Sequence, residues 1–465
     1  MVAISRILSP GLIFVSPDQF RSVATPELAA ESQFNIVRHL AAAGPYVQHP
    51  GFGISTNTPD QCAVESVQLY MRHGERFPGL NAGIHHKQIV DKLQGYSSTL
   101  KGDLEFLNYY QYYVSSEDLY ESETTPQNSP GPYTGYETAI RAGAAFRAKY
   151  GHLYDENKKL PLFIAAYARV YDTALNFATS FLGEKYSEDK INKVVISENA
   201  TMGLNSLVPR FGCPAFEPNG NQNLVSKFPT QYLEKIATRF QKDNPNLNIT
   251  SDDVAQLFQI CAYEMNSRGY SPFCDLFSED EFVTYGYHQD VVFYYESGPG
   301  GVHSKLAGSI QLNATLNILK ENNPQNKVWL TFTHDTDIEL FSSALGLFDT
   351  MTPLPVDQVR FYDTYHHVNI VPMGGRFITE KLKCGDTYYV RFIVNDAVIP
   401  VPGCSEGPGF SCKLDKFEAY VLDRIGKFDI VKDCKVPNGV PNSLTFYWDY
   451  ENVNYNVSVP RLTGQ

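Results

Sequence analysis

One histidine lies between two arginines in the segment Arg72-His73-Gly74-Glu75-Arg76-Phe77-Pro78. A neutral imidazole is a nucleophile, and the positive charge of neighbouring guanidinium groups disfavours its protonation. Guanidinium groups also present forked N–H donors that match the oxygens of a phosphate. These residue types at this spacing therefore suit nucleophilic attack on a phosphate group.

Two further segments end an apolar run with polar or charged side chains. Residues 162–168 lead into Arg169, and residues 328–333 lead into the pair His334-Asp335. In both segments apolar residues then recur at helical spacing, which predicts a buried strand followed by a helix. The residues just before the histidine segment also predict a strand. Because the ends of parallel strands lie along one edge of a sheet, we expect the three charged tips to meet at one site.

The first segment resembles the signature Arg-His-Gly-x-Arg-x-Pro of the histidine acid phosphatases, a branch of the histidine phosphatase superfamily. Arg169 with Thr173-Ala174, and the dipeptide His334-Asp335, are similar to that family's other site motifs and follow in the same order. The similarity looks closest to the secreted acid phosphatases and phytases of yeasts. It implies an α/β fold with a mostly parallel central sheet, flanking helices and a smaller inserted helical domain.

This resemblance implies a role for each polar residue of the three segments. His73 would be the nucleophile and form a phosphohistidine, which splits hydrolysis into two displacements. Asp335 would protonate the leaving alcohol and then assist the attack of water. The side chains that would hold the phosphoryl oxygens are Arg72, Arg76, Arg169 and His334. The implied substrate is a small phosphomonoester, cleaved without a metal ion or another cofactor.

The choice between a phytase and a broad-specificity acid phosphatase stays open. Some fungal phytases carry lysines shortly after the histidine segment, for the extra phosphates of inositol hexakisphosphate. This chain has His85, His86, Lys87 and Lys92 in that stretch, with Asp91 among them. We interpret the two histidines as an exposed pair. If they line the cleft, their protonation below about pH 6 would favour phytate.

Two other functions compete with hydrolysis. An intracellular phosphotransferase similar to the phosphoglycerate mutases would share Arg-His-Gly, but Arg76, Pro78 and the pair His334-Asp335 argue against it. A catalytically silent family member that serves as a binding glycoprotein would be expected to have lost His73 or Asp335. Both residues are present.

Chain length and local pattern suggest two domains. At 465 residues the chain exceeds the usual size of one compact core. Helical patterns dominate residues 186–300, which we predict to form a smaller helical domain. Residues 1–185 and 301–465 would form the α/β core, in which 376–382 and 387–394 alternate like paired strands.

The charge of the chain restricts its partners. A formal net charge of -13 disfavours nucleic acid and anionic membranes. An anionic phosphate must therefore be attracted locally, by arginines gathered in a cleft. No apolar run reaches membrane-spanning length, so we expect no membrane anchor. The sequence leaves the oligomeric state open, a homo-oligomer included.

Eight cysteines without Cys-x-x-Cys spacing favour disulfides over a zinc or redox motif. Eight cysteines allow 105 pairings, so spacing alone does not give the connectivity. The resemblance to secreted fungal enzymes implies four pairs: Cys62 with Cys384, Cys213 with Cys434, Cys261 with Cys274, and Cys404 with Cys412.

Sequons for N-glycosylation begin at Asn199, Asn248, Asn313 and Asn456. Together with the cysteines they favour a secreted protein, or one of the cell wall or periplasmic space. The segment 1–16 carries an apolar stretch broken by Pro10 and Gly11. It is either an unusual signal or an N-terminal arm, and the sequence leaves both open.

Overall fold

Eight strands form one sheet in a computed structural model that describes residues 35–322, 324, 326–360 and 363–460. The segment interpreted as a signal or an arm lies outside these residues. The strands are Cys62–Arg72 (β1), Leu160–Ala165 (β2), Ile191–Ile196 (β3), Val328–Thr333 (β4), Arg376–Cys384 (β5), Thr387–Val394 (β6), Ala397–Ile399 (β7) and Cys412–Lys413 (β8).

The order of the strands is β3-β2-β4-β1-β5-β6-β7, with β8 paired to β6. The first four strands of this order are parallel, and the pairs from β1–β5 onward are antiparallel. The α/β class is confirmed. The sheet is mixed, with one parallel half and one antiparallel half.

Helices α1 to α14 connect or follow these strands. Their bounds are Leu80–Gln94 (α1), Gly135–Tyr150 (α2), Ala168–Leu182 (α3), Pro209–Gly212 (α4), Gln222–Val225 (α5), Gln231–Asp243 (α6), Ser251–Arg268 (α7), Glu279–Glu296 (α8), Ser304–Lys320 (α9), Asp335–Leu345 (α10), His367–Ile370 (α11), Leu414–Ile425 (α12), Ile430–Asp433 (α13) and Phe446–Asp449 (α14). Short 3-10 turns fill several of the connections.

Both faces of the sheet are buried, which explains the continuous apolar runs of its parallel strands. On one face, Leu69 of β1 belongs to the same apolar cluster as Phe146 and Phe177 of helices α2 and α3. On the other face, Tyr70 packs edge-to-face on Phe341 of α10, with ring centroids 5.5 Å apart. Successive residues of β1 therefore point into two different cores.

The parallel strands end at the same edge of the sheet. Arg72 at the end of β1 pairs with Thr333 at the end of β4, and Ile164 near the end of β2 pairs with Phe332. The residues that follow each strand therefore leave the sheet side by side. This register brings the three predicted site segments together.

Helices α4 to α8 occupy most of the region predicted as a helical domain. Strand β3, at 191–196, lies in the same region but pairs with β2 in the central sheet. The division into two domains stays a prediction, and β3 places the end of the α/β core after residue 196 rather than at 185.

Four disulfides join all eight cysteines, and no cysteine is free. They are Cys62–Cys384, Cys213–Cys434, Cys261–Cys274 and Cys404–Cys412, the pairs that the resemblance implied. Cys62 and Cys384 are opposite each other on β1 and β5. The four sequon asparagines are exposed, as glycan attachment requires. Within the described residues, no helix combines the length and apolar character of a membrane span.

The disulfide between β1 and β5 should contribute more to stability than the one near β8. The first joins residues 322 positions apart and the second residues 8 apart, so the first restricts the unfolded chain more. We expect replacing both Cys62 and Cys384 by Ala to lower the free energy of unfolding by about 2–5 kcal/mol. Urea unfolding of this variant and of the matched Cys404→Ala/Cys412→Ala variant tests which disulfide contributes more to the free energy of unfolding. Equal losses would contradict it.

Candidate active site

The His73 side chain is buried at the end of β1, with 1% of the residue exposed. Its Nδ1 lies 2.8 Å from the carbonyl oxygen of Gly74. A carbonyl oxygen only accepts hydrogen bonds, so Nδ1 carries the proton of the neutral ring. The tautomer assigned in this way leaves the lone pair on Nε2, the atom that a nucleophilic histidine needs.

Burial lowers the pKa of His73 well below its usual value. The guanidinium groups of Arg169, Arg72 and Arg76 lower it further, because one more positive charge among these three is unfavourable. The imidazole is therefore neutral at neutral pH and stays neutral in mild acid, where an ordinary histidine would be protonated.

Arg72 connects the end of β1 to the start of α10. Its Nη1 donates to the carbonyl oxygen of Val371 at 2.7 Å, and its Nη2 lies 2.7 Å from Oδ2 of Asp335. Burial by itself raises the pKa of Asp335, but the charge of Arg72, the backbone N–H of Thr336 and the charge of Arg210 bring it well below its usual range. Asp335 is consequently ionised in the free site, whereas the sequence-based prediction required it to be protonated.

Arg76 and Arg169 complete a set of three guanidinium groups around His73. Nη1 of Arg76 donates to the carbonyl oxygen of Phe77 at 2.9 Å. Arg169 lies at the start of α3, where its Cζ is 4.1 Å from the ring centroid of Tyr167. Burial and the charge of Arg76 lower the pKa of Arg169 to about 9. A bound anion would relieve this repulsion between like charges.

His334 immediately precedes α10, and its ring meets that of His73 at a centroid distance of 5.9 Å. Its Nε2 lies 2.6 Å from Oε1 of Glu198, which follows β3. Burial lowers the pKa of His334 to about 4, although Glu198 opposes that shift. The ring is thus neutral in the free site and has a carboxylate ready to stabilise its protonated form.

The turn after His73 is held by hydrogen bonds through Thr173 of α3. The backbone N–H of Gly74 donates to Oγ1 of Thr173 at 2.9 Å, and that hydroxyl donates to Oε1 of the buried Glu123. A Cβ at position 74 would lie 2.6 Å from the Cα of Gly135. Only glycine permits this approach of the two backbones.

The model of the histidine phosphatase superfamily, branch 2, matches residues 63–395. The chain belongs to this superfamily. The phytase PHO112 of Candida albicans is 48% identical over 98% of this chain and 99% of its own length. The constitutive acid phosphatase of Saccharomyces cerevisiae is 41% identical over 91% of this chain and 92% of its own.

A solved structure has the same fold. The crystal structure of the phytase from D. castellii matches with a TM-score of 0.92 at 46% sequence identity, covering 96% of this chain and 98% of that one. The chain is thus a histidine phosphatase in sequence and in fold, with its relatives among yeast acid phosphatases and phytases.

In this histidine phosphatase the six predicted site residues converge: Arg72, His73, Arg76, Arg169, His334 and Asp335. Sequence reasoning missed three side chains that contact them: Glu121, Tyr167 and Glu198. Glu198 comes two residues after a strand, so the rule that located the other site residues could have found it. Glu121 lies in a connection between helices and carried no such signal.

The interpretation of His85 and His86 as an exposed pair is wrong for His86. His85 is exposed, but His86 is buried with Nε2 3.2 Å from Oε1 of Gln256, and burial lowers its pKa to about 4. Successive helix positions point in different directions, which separates the two rings. His86 therefore cannot supply the expected positive charge at about pH 5.

The two lysines of the same helix are paired with carboxylates. Lys87 lies 2.7 Å from Oδ2 of Asp91, and Lys92 lies 2.5 Å from Oδ2 of Asp253. Helix α1 thus offers less free positive charge than its sequence suggests. Among the residues described, no three His, Cys, Asp or Glu side chains are grouped to hold a metal ion.

Replacing Thr173 should disturb the turn that carries His73. Thr173→Val leaves the N–H of Gly74 without its acceptor, which should cost about 1–3 kcal/mol of stability. If His73 is the nucleophile, its displacement should lower kcat/KM by about tenfold or more. Thr179→Val on the same helix is the matched control, because that hydroxyl bonds the carbonyl oxygen of Leu175 and the side chain of Tyr186 rather than the turn that carries His73. Similar kinetics for the two variants would contradict the role of Thr173.

Proposed function

We propose that this protein hydrolyses phosphomonoesters at acid pH through a phosphohistidine on His73, with inositol hexakisphosphate among its substrates. The observation that carries the proposal is the neutral His73 ring, which keeps its lone pair on Nε2 and has three guanidinium groups around it. The names of the relatives, acid phosphatases and a phytase, support the same reaction and substrate class.

In the first displacement, Nε2 of His73 attacks phosphorus and forms the P–N bond as the P–O bond to the alcohol breaks. Arg72, Arg76 and Arg169 bind the phosphoryl oxygens and offset the charge of the transition state. His334 also binds the phosphoryl oxygens once its ring is protonated. Glu198, whose Oε1 lies 2.6 Å from Nε2, stabilises the protonated ring. The charge of the bound phosphate favours that protonation.

The leaving oxygen needs a proton, and Asp335 is ionised in the free site. A phosphomonoester carries its own second proton below about pH 6. The anionic substrate also raises the pKa of the neighbouring carboxyl, so the proton can pass from substrate to Asp335 and on to the leaving oxygen. The acid range of the reaction then comes from the protonated substrate rather than from a protonated Asp335 in the free enzyme.

In the second displacement, water attacks phosphorus from the side that the alcohol has left. Asp335 accepts a proton from that water and the P–N bond breaks, which frees His73. The proton then passes from Asp335 to the departing inorganic phosphate, so Asp335 is ionised again. The carboxylate that delivered the proton is therefore the base in this step. The ion pair with Arg72, at 2.7 Å, keeps the Asp335 carboxylate in place for both displacements.

We also propose that the protein acts outside the cytosol, secreted or held in the cell wall or periplasmic space. Four disulfides support an oxidising compartment. Exposure of the four sequon asparagines is compatible with glycosylation along that route.

Phosphate release from p-nitrophenyl phosphate and from inositol hexakisphosphate tests the function directly. We expect both substrates to be cleaved fastest below about pH 6, with no loss in EDTA. His73→Ala should abolish turnover and the acid-labile phosphoenzyme trapped by rapid quenching. A neutral optimum, dependence on added metal, or more than trace turnover by His73→Ala would contradict the mechanism. If inositol hexakisphosphate alone resists cleavage, only the substrate assignment fails.

The role of Asp335 predicts a dependence on the leaving group. Asp335→Asn should lower kcat for alkyl phosphates by about 10²-fold or more, but much less for p-nitrophenyl phosphate, whose leaving group needs little protonation. Asp337→Asn is the matched control, because that buried carboxyl pairs with Arg210 instead. An equal loss for both substrates in Asp335→Asn would indicate that Asp335 only orients Arg72.

A further inference from the structure

Glu121 has a backbone conformation that few residues of its type adopt. Its φ is 66°, in the left-handed region that favours glycine. The backbone N–H of Glu121 donates to the carbonyl oxygen of Pro78, at the end of the histidine segment, at 2.9 Å. Its Oε1 accepts from the backbone N–H of Leu80, the first residue of α1, at 3.4 Å. Such a conformation at the edge of a site indicates a functional constraint.

The other carboxylate oxygen of Glu121 contacts the side chains of Tyr167 and Arg169. Oε2 accepts a hydrogen bond from the hydroxyl of Tyr167 and lies 3.5 Å from Nη1 of Arg169. The guanidinium of Arg169 in turn stacks on the ring of Tyr167 at 4.1 Å. One carboxylate thus joins both members of a stacked pair.

Arg169 needs such a partner because its surroundings are unfavourable to it. Only 14% of its side chain is exposed, and it lies close to the like charge of Arg76. Its buried Nε has no hydrogen-bond partner within the described part of the chain. Glu121 is the nearest carboxylate that offsets this repulsion in the free site. Without it, the guanidinium would keep the stack on Tyr167 but lose this ion pair.

We propose that Glu121 is a positioning residue of the active site, which holds Arg169 through an ion pair and through the hydroxyl of Tyr167. The inference rests on the proposed function, in which Arg169 binds a phosphoryl oxygen. A guanidinium fixed before substrate arrives needs no reorganisation in the transition state, so its contribution to the rate is larger.

The Glu121→Gln variant keeps the shape of the side chain and removes its charge. We expect it to lower kcat/KM for p-nitrophenyl phosphate about tenfold and to weaken inhibition by inorganic phosphate. Tyr167→Phe keeps the stacked ring and removes only the hydroxyl, and should cause a smaller loss of the same kind. The matched control is Glu117→Gln, because that glutamate is exposed on the same connection and should leave kcat/KM unchanged.

The decisive measurement is a double-mutant cycle with Arg169→Ala. If Glu121 acts through Arg169, adding Glu121→Gln to Arg169→Ala should change kcat/KM less than twofold. A further tenfold loss in that background would show that Glu121 has a general structural role and would overturn the inference. An unchanged kcat/KM in the single Glu121→Gln variant would overturn it as well.

The cycle separates this inference from the proposed function. An inactive wild-type protein would refute the phosphatase reaction itself. Binding of inorganic phosphate by the same variants, measured by calorimetry, would then still report whether Glu121 positions Arg169. If Glu121→Gln fails to fold, the Tyr167→Phe cycle with Arg169→Ala provides the same comparison.

Discussion

The crowding of positive charge around one buried neutral histidine is the constraint on which this structure depends. Burial and three neighbouring guanidinium groups lower the pKa of His73, so the ring keeps its nucleophilic lone pair in acid. The same cations repel each other, and burial makes that repulsion stronger. A fold that creates such a site must hold the cations in place while no phosphate is bound.

Two of the site's guanidinium groups and the His334 ring are each held by a carboxylate that the chain brings in from a different element. Arg72 pairs with Asp335, Arg169 with Glu121, and His334 with Glu198. Burial of an ion pair is a weak source of stability, because desolvation offsets much of the attraction. The benefit of these pairs is therefore orientation. They also keep the site close to neutral until an anionic substrate arrives.

Because of its pair with Arg72, Asp335 does not hold in the free site the proton that a leaving alcohol needs. An aspartate next to a buried arginine is a poor acid in the free enzyme, whatever its position in a motif. In the proposed mechanism a substrate that carries its own proton resolves this conflict, and it would confine the reaction to acid pH. Ion pairing also bears on whether the protein prefers inositol hexakisphosphate. Lys87 and Lys92 of α1 are each paired with an aspartate and His86 is buried, so these residues offer little free positive charge to the extra phosphates.

The sequence alone determined the α/β class and the six residues that meet at the sheet edge. It could do so because each of the three segments that carry them follows an apolar strand, and strand ends in a parallel sheet are neighbours. The resemblance to the histidine acid phosphatases then singled out the residues within each segment. The antiparallel half of the sheet was also foreseeable in part, from the alternating residues of β5 and β6.

Only the tertiary structure decided the ionisation of Asp335, the burial of His86 and the partners of the site cations. Protonation depends on distances and burial, and a motif contains neither. Glu121 and Arg169 are 48 positions apart, and no local pattern relates the two segments. The contacts that orient the catalytic groups arise from the way distant segments pack, which is a property of the whole fold.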